Sequence, residues 1–450
     1  MADKKKRLFG TDGVRGVANT ELTCELAFRL GQAAVRFQGP RILVGKDTRL
    51  SGDMLEAAMC AGITSAGGTA LTAGIVPTPA VALLVPQLGC DGGAVISASH
   101  NPPEYNGIKL FDRSGFKLPD AVEDEIQVAI ESGTLDEGLP AGDAVGRIEP
   151  VRDAVERYVL HAVDSVRAQG GSLAGLKVAL DCGHGASSMT SYQALERLGA
   201  DARVVNDDFT GLDINVKCGS TNLGPLKELV AAEGADVGIA HDGDADRVML
   251  VDSRGREIDG DMMEAVLALD MKARGCLPHD TAVSTVMCNL GFTRFLESKG
   301  VSVVQTKVGD RYVLEEMREK GYGIGGEQSG HLILLEYNTT GDGLMTAVQF
   351  LAALGRLGLS ADDAAELYER YPQELINVRV SDKQAVFGNE AVASAVRAAE
   401  EAMGDAGRVL LRPSGTEPVV RVMVEAADAG DCSRHCRAIA DVVVAELGAN

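Results

Sequence analysis

The chain has 450 residues, 45% hydrophobic and 24% charged, the composition of a globular protein too long for a single core. A net charge of −22 speaks against nucleic-acid and anionic-membrane partners, and neither is expected. With no Trp and 53 glycines, the core must be aliphatic and tight turns must be many.

The basic start MADKKKR leads into no apolar stretch of signal-peptide or membrane-spanning length and reads as a solvated arm. In the segment 9–16 (FGTDGVRG), Arg15 can face a phosphate or form an ion pair. A strand at 41–45, a helix at 51–66 capped by Ser51, a strand at 69–75, a helix at 79–88 and a strand at 93–96 make βαβαβ. The charged, Gly-rich segment 131–146 reads as a linker. The element order recurs from LKVALD (176–181) through helices at 188–198 and 226–233 to ADVGIA (235–240). It recurs again from a helix at 261–274 through strands at 281–287 and 301–307 to YGIGG (322–326). The tail differs: a strand at 374–380, a helix at 389–403, two strands flanking RPSGTEP (412–418) and a closing helix.

The expected architecture is therefore α/β, with three topologically similar mixed or parallel-sheet domains (1–150, 151–255 and 256–370) and a smaller C-terminal α+β domain (371–450). Nine irregularly spaced cysteines fit a reducing, cytoplasmic setting better than a disulfide framework. Cys432 and Cys436 flank His435 at helical spacing, and plain helix outweighs a metal site there.

In each of the three blocks the last strand runs into a polar loop: SASHNP (97–102), HDGDADR (241–247) and GEQSGH (326–331). Ligands of open α/β sheets bind outside the carboxyl ends of the strands, so the three loops predict one shared cleft. Asp242, Asp244 and Asp246 alternate with small residues and can aim three carboxylates at one point. Such charges repel unless a cation sits among them, and oxygen-only ligands favour a hard ion such as Mg²⁺ or Ca²⁺. An EF-hand is excluded, because Arg247 takes the place of its turn glycine and Ser253 that of its bidentate glutamate. An acidic surface turn is the bland alternative.

Ser99 can be a plain nucleophile, a turn-capping serine, or a phosphoserine beside the metal and Arg247. The aspartates favour the last, with His100 and Lys109 stabilising charge or moving the acceptor's proton. Glu327, Gln328, Ser329 and His331 offer hydrogen-bonding groups for vicinal hydroxyls or an amino group, against a merely structural turn. Arg412, Ser414, Gly415 and Thr416, with Arg421 on the next strand, read as a phosphate cradle rather than a plain turn.

Taken together, LFGTDGVRG, SASHNP…NGIK, DGDADR, GEQSGH and RPSGTEP resemble, in this order and over the whole chain, the α-D-phosphohexomutases. The resemblance implies four domains around a central cleft. It implies interconversion of glucosamine 6-phosphate and glucosamine 1-phosphate on the way to UDP-N-acetylglucosamine, with hexosamine phosphates as partners and a homodimer as a candidate assembly. By this likeness phosphorylated Ser99 binds Mg²⁺ together with Asp242, Asp244 and Asp246. Glu327 and Ser329 fall on the sugar-recognition loop, and Arg412, Ser414, Gly415, Thr416 and Arg421 on the distal phosphate site. Lys307, Asp310 and Arg311 lie in a loop that also tends to face the ligand. Phospho-Ser99 would give its phosphoryl to the substrate's free hydroxyl, making glucosamine 1,6-bisphosphate, which turns end over end before Ser99 takes the other phosphate back.

Two positions depart from the family pattern: His184 stands where Asn is common, and His241 precedes the aspartates at a variable place. Glucose- or mannose-phosphate mutases would share metal, serine and cradle, although Gln328 and the GTDGVRG opening favour the amino sugar. A metal-dependent phosphatase would explain DGDAD and Ser99 but leave the distal cradle unused. An idle sugar-phosphate sensor would not need the serine and all three aspartates.

Overall fold

The computed structural model describes residues 7–10, 12–414 and 418–449, so the basic start of the chain, Gly415 and Thr416 lie outside the described residues. Packing divides the chain into two compact units. The larger holds the residues up to Thr285 together with Thr306–Glu366; the smaller holds Val286–Gln305 and the residues from Leu367 onward.

The first sheet has six strands in the order Val14–Val17, Tyr105–Asp112, Gly92–Ile96, Arg41–Lys46, Thr69–Ile75 and Arg147–Pro150. Its centre is the expected parallel βαβαβ, and Gly92–Ile96 is buried along its whole length, as a strand covered on both faces must be. Two edges depart from the sequence reading. Tyr105–Asp112 returns antiparallel to Gly92–Ile96, and Val14–Val17 pairs with it. The linker segment 131–146 is mostly exposed but tethered: Leu135 is buried, the Gly146 amide bonds the Thr64 carbonyl, and Arg147–Pro150 then joins the sheet edge. Ser51 does not cap the helix Gly52–Ser65 with its side chain; its hydroxyl accepts instead from Asn106 Nδ2 at 2.9 Å.

The second sheet runs Glu257–Ile258, Val248–Asp252, Val237–His241, Lys177–Asp181, Asp201–Val205, with Val248–Asp252 antiparallel to Val237–His241. In the third block Ile324–Gly326 pairs parallel with Thr281–Thr285 and antiparallel with Leu332–Leu334. All three blocks thus end in one device: the last parallel strand turns back through a polar loop into an antiparallel partner. The core is aliphatic, with Leu30, Ile42, Val44, Leu55, Ile96 and Ile108 fully buried in the first block.

In the smaller unit, Gln373–Arg379, Val419–Ala426 and Gly407–Pro413 form an antiparallel sheet packed by the helices Glu390–Met403 and Ala429–Leu447. Cys432 and Cys436 are buried there with their thiols against the Val424 and Val422 carbonyls, the ordinary helix reading. Among the described residues no helix is long and apolar enough to cross a membrane.

Candidate active site

The three return loops of the larger unit put their chemistry in one place. Ser99 sits in the first loop with a left-handed backbone, φ 52°, which a serine adopts only when its surroundings dictate it. Its Oγ donates to Asp242 Oδ2 at 2.6 Å and lies 3.3 Å from His100 Nδ1. Asp242, Asp244 and Asp246 each aim one oxygen so that all three lie within 4.8 Å of one another, fully or nearly buried. No other such cluster occurs among the described residues.

Burial, then the charges of Asp246 and Asp244, pushes the Asp242 carboxyl well up. Two buried oxygens, Asp244 Oδ1 and Asp246 Oδ1, have no hydrogen-bond donor within 3.5 Å among the described residues, the nearest cationic group to the latter being His331 Nδ1 at 3.7 Å. A carboxylate set with spare, inward-facing lone pairs fits a hard divalent ion.

The cationic side is as definite. Lys109, buried in the strand Tyr105–Asp112, donates to Asp244 Oδ2 at 2.8 Å and Asp246 Oδ2 at 3.3 Å, and pairs with Asp12 at 3.0 Å. Burial alone would lower its pKa, but Asp12, Asp244 and Asp246 hold it well above the usual lysine range. Lys109 is therefore held in its charged form. His100 is the reverse: burial, then Arg247 and Arg15, lowers it to about 4, so the ring is neutral at physiological pH. His331 is raised against the effect of burial by its contact with Asp246 and by the charge of Asp310.

A cavity of about 450 Å³ opens on this cluster. Arg15, His100, Asp246, Arg247, Asp310, Glu327 and His331 line it, as the sequence reading expects. Three expected residues lie elsewhere. Lys307 is exposed, with its ammonium over the Tyr312 ring, and only its neighbours Val308 and Gly309 line the cavity. Arg311 is held away by ion pairs to Asp120 and Glu123 of the helix Asp120–Ser132. Ser329 is exposed at the tip of its turn and does not line the cavity. In the smaller unit Arg412 and Arg421 stand directly opposite on adjacent antiparallel strands, so two guanidinium groups share one face. Ser414, buried beside them, has its carbonyl bonded by Lys383 Nζ at 2.6 Å.

Three residues of the site were not singled out from the sequence. Asp12 lines the cavity and ties together Arg15, Lys109 and Lys117; it stands inside the FGTDGVRG motif and was within reach. Lys117 bridges Asp12 and Asp310 from an unremarkable stretch. Thr78, at the start of the helix Thr78–Gln87, donates its hydroxyl to Asp244 Oδ2 at 2.5 Å and its amide to the Asp244 carbonyl. His184, the departure from pattern, keeps off the ligand set and instead presents its carbonyl to Thr48 Oγ1 at 2.6 Å.

Comparison with known proteins settles the class. Residues 6–137, 156–255 and 259–371 match the phosphoglucomutase/phosphomannomutase α/β/α domains I, II and III, and residues 375–442 match the C-terminal domain. The chain belongs to the phosphoglucomutase/phosphomannomutase family. Each family domain carries one of the motifs: the Ser99 loop in domain I, the aspartates in domain II, the Glu327–His331 loop in domain III, and the Arg412–Arg421 pair in the C-terminal domain. A phosphoglucosamine mutase of Moorella thermoacetica is 51% identical over 427 residues, covering 94% of this chain and 96% of the relative. One of Clostridium kluyveri is 47% identical over 449 residues, covering 98% and 99%. The crystal structure of a family protein from Burkholderia thailandensis superposes with a TM-score of 0.81 at 25% identity, covering 98% of this chain and 97% of that one. As a family member the chain is a phosphohexomutase, an isomerase, and the phosphatase alternative is not favoured.

Proposed function

We propose that the chain interconverts glucosamine 6-phosphate and glucosamine 1-phosphate, with Ser99 carrying the phosphoryl group. One observation carries this reading: buried Ser99 Oγ lies 2.6 Å from an aspartate of the three-carboxylate cluster, next to His100, which lines a cavity together with Asp246 and Arg247. The amino-sugar preference is supported by relatives bearing that activity in their names at 47–51% identity over nearly the whole chain.

Asp242, Asp244 and Asp246 would hold Mg²⁺, which when bound supplies positive charge against the phosphate oxygens. The remaining steps belong to the chain. Lys109 and Arg247 add charge that does not depend on pH near neutrality. The bond from phosphorus to Ser99 Oγ breaks as one forms to the sugar's free hydroxyl. Neutral His100 takes that hydroxyl's proton and passes it to Ser99 Oγ, 3.3 Å away. Glu327 and His331 orient the sugar's hydroxyl and amino groups from the cavity wall. The product, glucosamine 1,6-bisphosphate, must turn end for end before Ser99 accepts the other phosphate. Arg412, Ser414 and Arg421 would supply a second phosphate site that must accept either end, and Gly415 and Thr416 continue the same motif in the sequence. Nine free thiols support a reducing, cytoplasmic setting.

A coupled assay offering the 1- and 6-phosphates of glucosamine, glucose and mannose tests the reading. Mutase turnover highest with the amino sugar is expected, and Ser99→Ala should lose on the order of 10³-fold or more. Release of inorganic phosphate by the wild type, or full turnover by Ser99→Ala, overturns it.

A further inference from the structure

We propose that Arg49 is a positioning residue that sets the aim of Ser99 by templating the backbone of its loop. The inference rests on the reading that Ser99 carries the phosphoryl group. Arg49 follows the strand Arg41–Lys46, and its side chain is 0% exposed. A guanidinium has five N–H donors in one rigid plane, and all five are spent here. Nε donates to Asp47 Oδ2 at 2.9 Å. Nη1 donates to the Pro102 and Tyr105 carbonyls at 2.5 and 3.0 Å, and Nη2 to the Ser99 and Asn101 carbonyls at 2.9 and 2.8 Å. Three carbonyls of the loop and that of Tyr105, where the next strand begins, therefore converge on one flat group, which fixes the curvature of the loop.

The same pair holds the other side of the nucleophile. Asp47 accepts from Ser97 Oγ at 2.6 Å, and Ser97 Oγ in turn accepts from the Ser99 amide at 2.9 Å. Both the amide and the carbonyl of Ser99 are thus fixed, which is what keeps a serine at φ 52° with its Oγ on Asp242. Asn215, in the loop preceding the second block's last helix, repeats part of the clamp from the other side, with Nδ2 donating to the Ser99 and Asn101 carbonyls at 2.9 and 3.3 Å. A buried ion pair kept only for stability would need none of these bonds to be aimed at the two sides of residue 99.

Two variants separate positioning from folding. Arg49→Lys keeps a cation beside Asp47 but replaces the planar fork by one rotatable ammonium. Asn215→Ala removes two loop bonds and leaves no buried charge. The measurements are kcat and KM with glucosamine 1-phosphate, the melting temperature, and the rate at which Ser99 is phosphorylated by a hexose 1,6-bisphosphate, read by mass spectrometry. A misplacement of about 1 Å costs on the order of 100-fold in rate, so Arg49→Lys should lose roughly that in kcat and in Ser99 phosphorylation, with KM within about threefold. Asn215→Ala should lose about tenfold in both, at an unchanged melting temperature. Should Arg49→Lys fail to fold, Asn215→Ala decides. Wild-type kcat in both variants, or in Asn215→Ala where Arg49→Lys is unfolded, overturns the proposal. So does a loss that appears in KM with kcat unchanged. Ser99→Ala run alongside distinguishes the two readings. If it is inactive while the clamp variants are unaffected, only the positioning role fails; if it turns over, the phosphoserine reading fails first.

Discussion

Glu264 is fully buried on the helix Gly260–Ala273, and neither of its carboxyl oxygens has a hydrogen-bond partner among the described residues. Burial, then the charge of Asp261 one turn earlier, holds its pKa well above the usual carboxylate range. The folded chain therefore binds a proton that the unfolded chain releases above about pH 4.5. Unfolding gains about 1.4 kcal/mol for each pH unit above that point until the folded group titrates. Stability from this site is thus complete below pH 4.5 and lost as pH rises. Glu264→Gln keeps the shape of the neutral acid without its proton. It should match the wild-type melting temperature near pH 4.5 and exceed it by a margin that widens towards pH 8. Parallel melting curves across that range would rule out a protonated Glu264. Nothing in the sequence marks this residue, because DGDMMEAVLALD reads as an ordinary amphipathic start with Glu264 among many solvated acids. Lys109 was legible for a related reason: a lysine at a fixed interval beyond SASHNP has a partner to find, whereas Glu264 has none.

Two elements carry contacts that set the loops, and each can be disturbed alone. The helix Thr78–Gln87 meets the metal loop end-on, and the Thr78 hydroxyl orients Asp244. Outer partners of metal ligands commonly matter by 10- to 100-fold in affinity. Thr78→Val should weaken Mg²⁺ binding by about tenfold, read by calorimetric titration, with little change in melting temperature of the metal-free protein. The helix Gly260–Ala273 abuts the sugar loop. A Cβ at Gly260 would lie 2.0 Å from the Glu327 carbonyl oxygen and 3.0 Å from the Gly330 amide. Gly260→Ala must push that loop outward, and the expected result is an increase in KM of about tenfold with eroded preference for the amino sugar, at a stability cost of about 1–3 kcal/mol. An unchanged ratio of kcat/KM between glucosamine and glucose phosphates would detach the loop from specificity. Periodicity revealed the parallel strands and the loops at their ends, yet hid the return strands. Tyr105–Asp112 is buried from Asn106 to Phe111, including Lys109, which breaks the apolar pattern because the acids opposite require a cation. Arg147–Pro150 is exposed throughout and ends in proline, so only its pairing with Thr69–Ile75 identifies it as a strand.

At the scale of the whole molecule, the motifs fall into two compact units, and this division predicts how the metal acts on stability. Ser99 and all three aspartates belong to the larger unit, while the Arg412–Arg421 pair and a separate core of Val378, Val392, Val420, Val422, Val424 and Ile439 belong to the smaller. The order of blocks foretold that the tail is a different fold, whereas the inclusion of Val286–Gln305 with the tail depends on packing that no local pattern reports. Three buried carboxylates with oxygens within 4.8 Å of one another repel unless a cation lies among them. A ligand that binds only the folded state stabilises by mass action, about 2.7 kcal/mol at a concentration 100 times its dissociation constant. For a unit of this size that corresponds to a rise of roughly 4 °C in melting temperature. Mg²⁺ should therefore raise the transition of the larger unit by that amount and excess EDTA should reverse it. Amides of the smaller unit, such as those of Gly407–Pro413 and Val419–Ala426, should gain no protection from hydrogen exchange. Asp242→Asn should abolish the shift. Equal protection in both units would mean that the chain unfolds as one cooperative body, and no shift at all would mean that the carboxylates do not bind the ion.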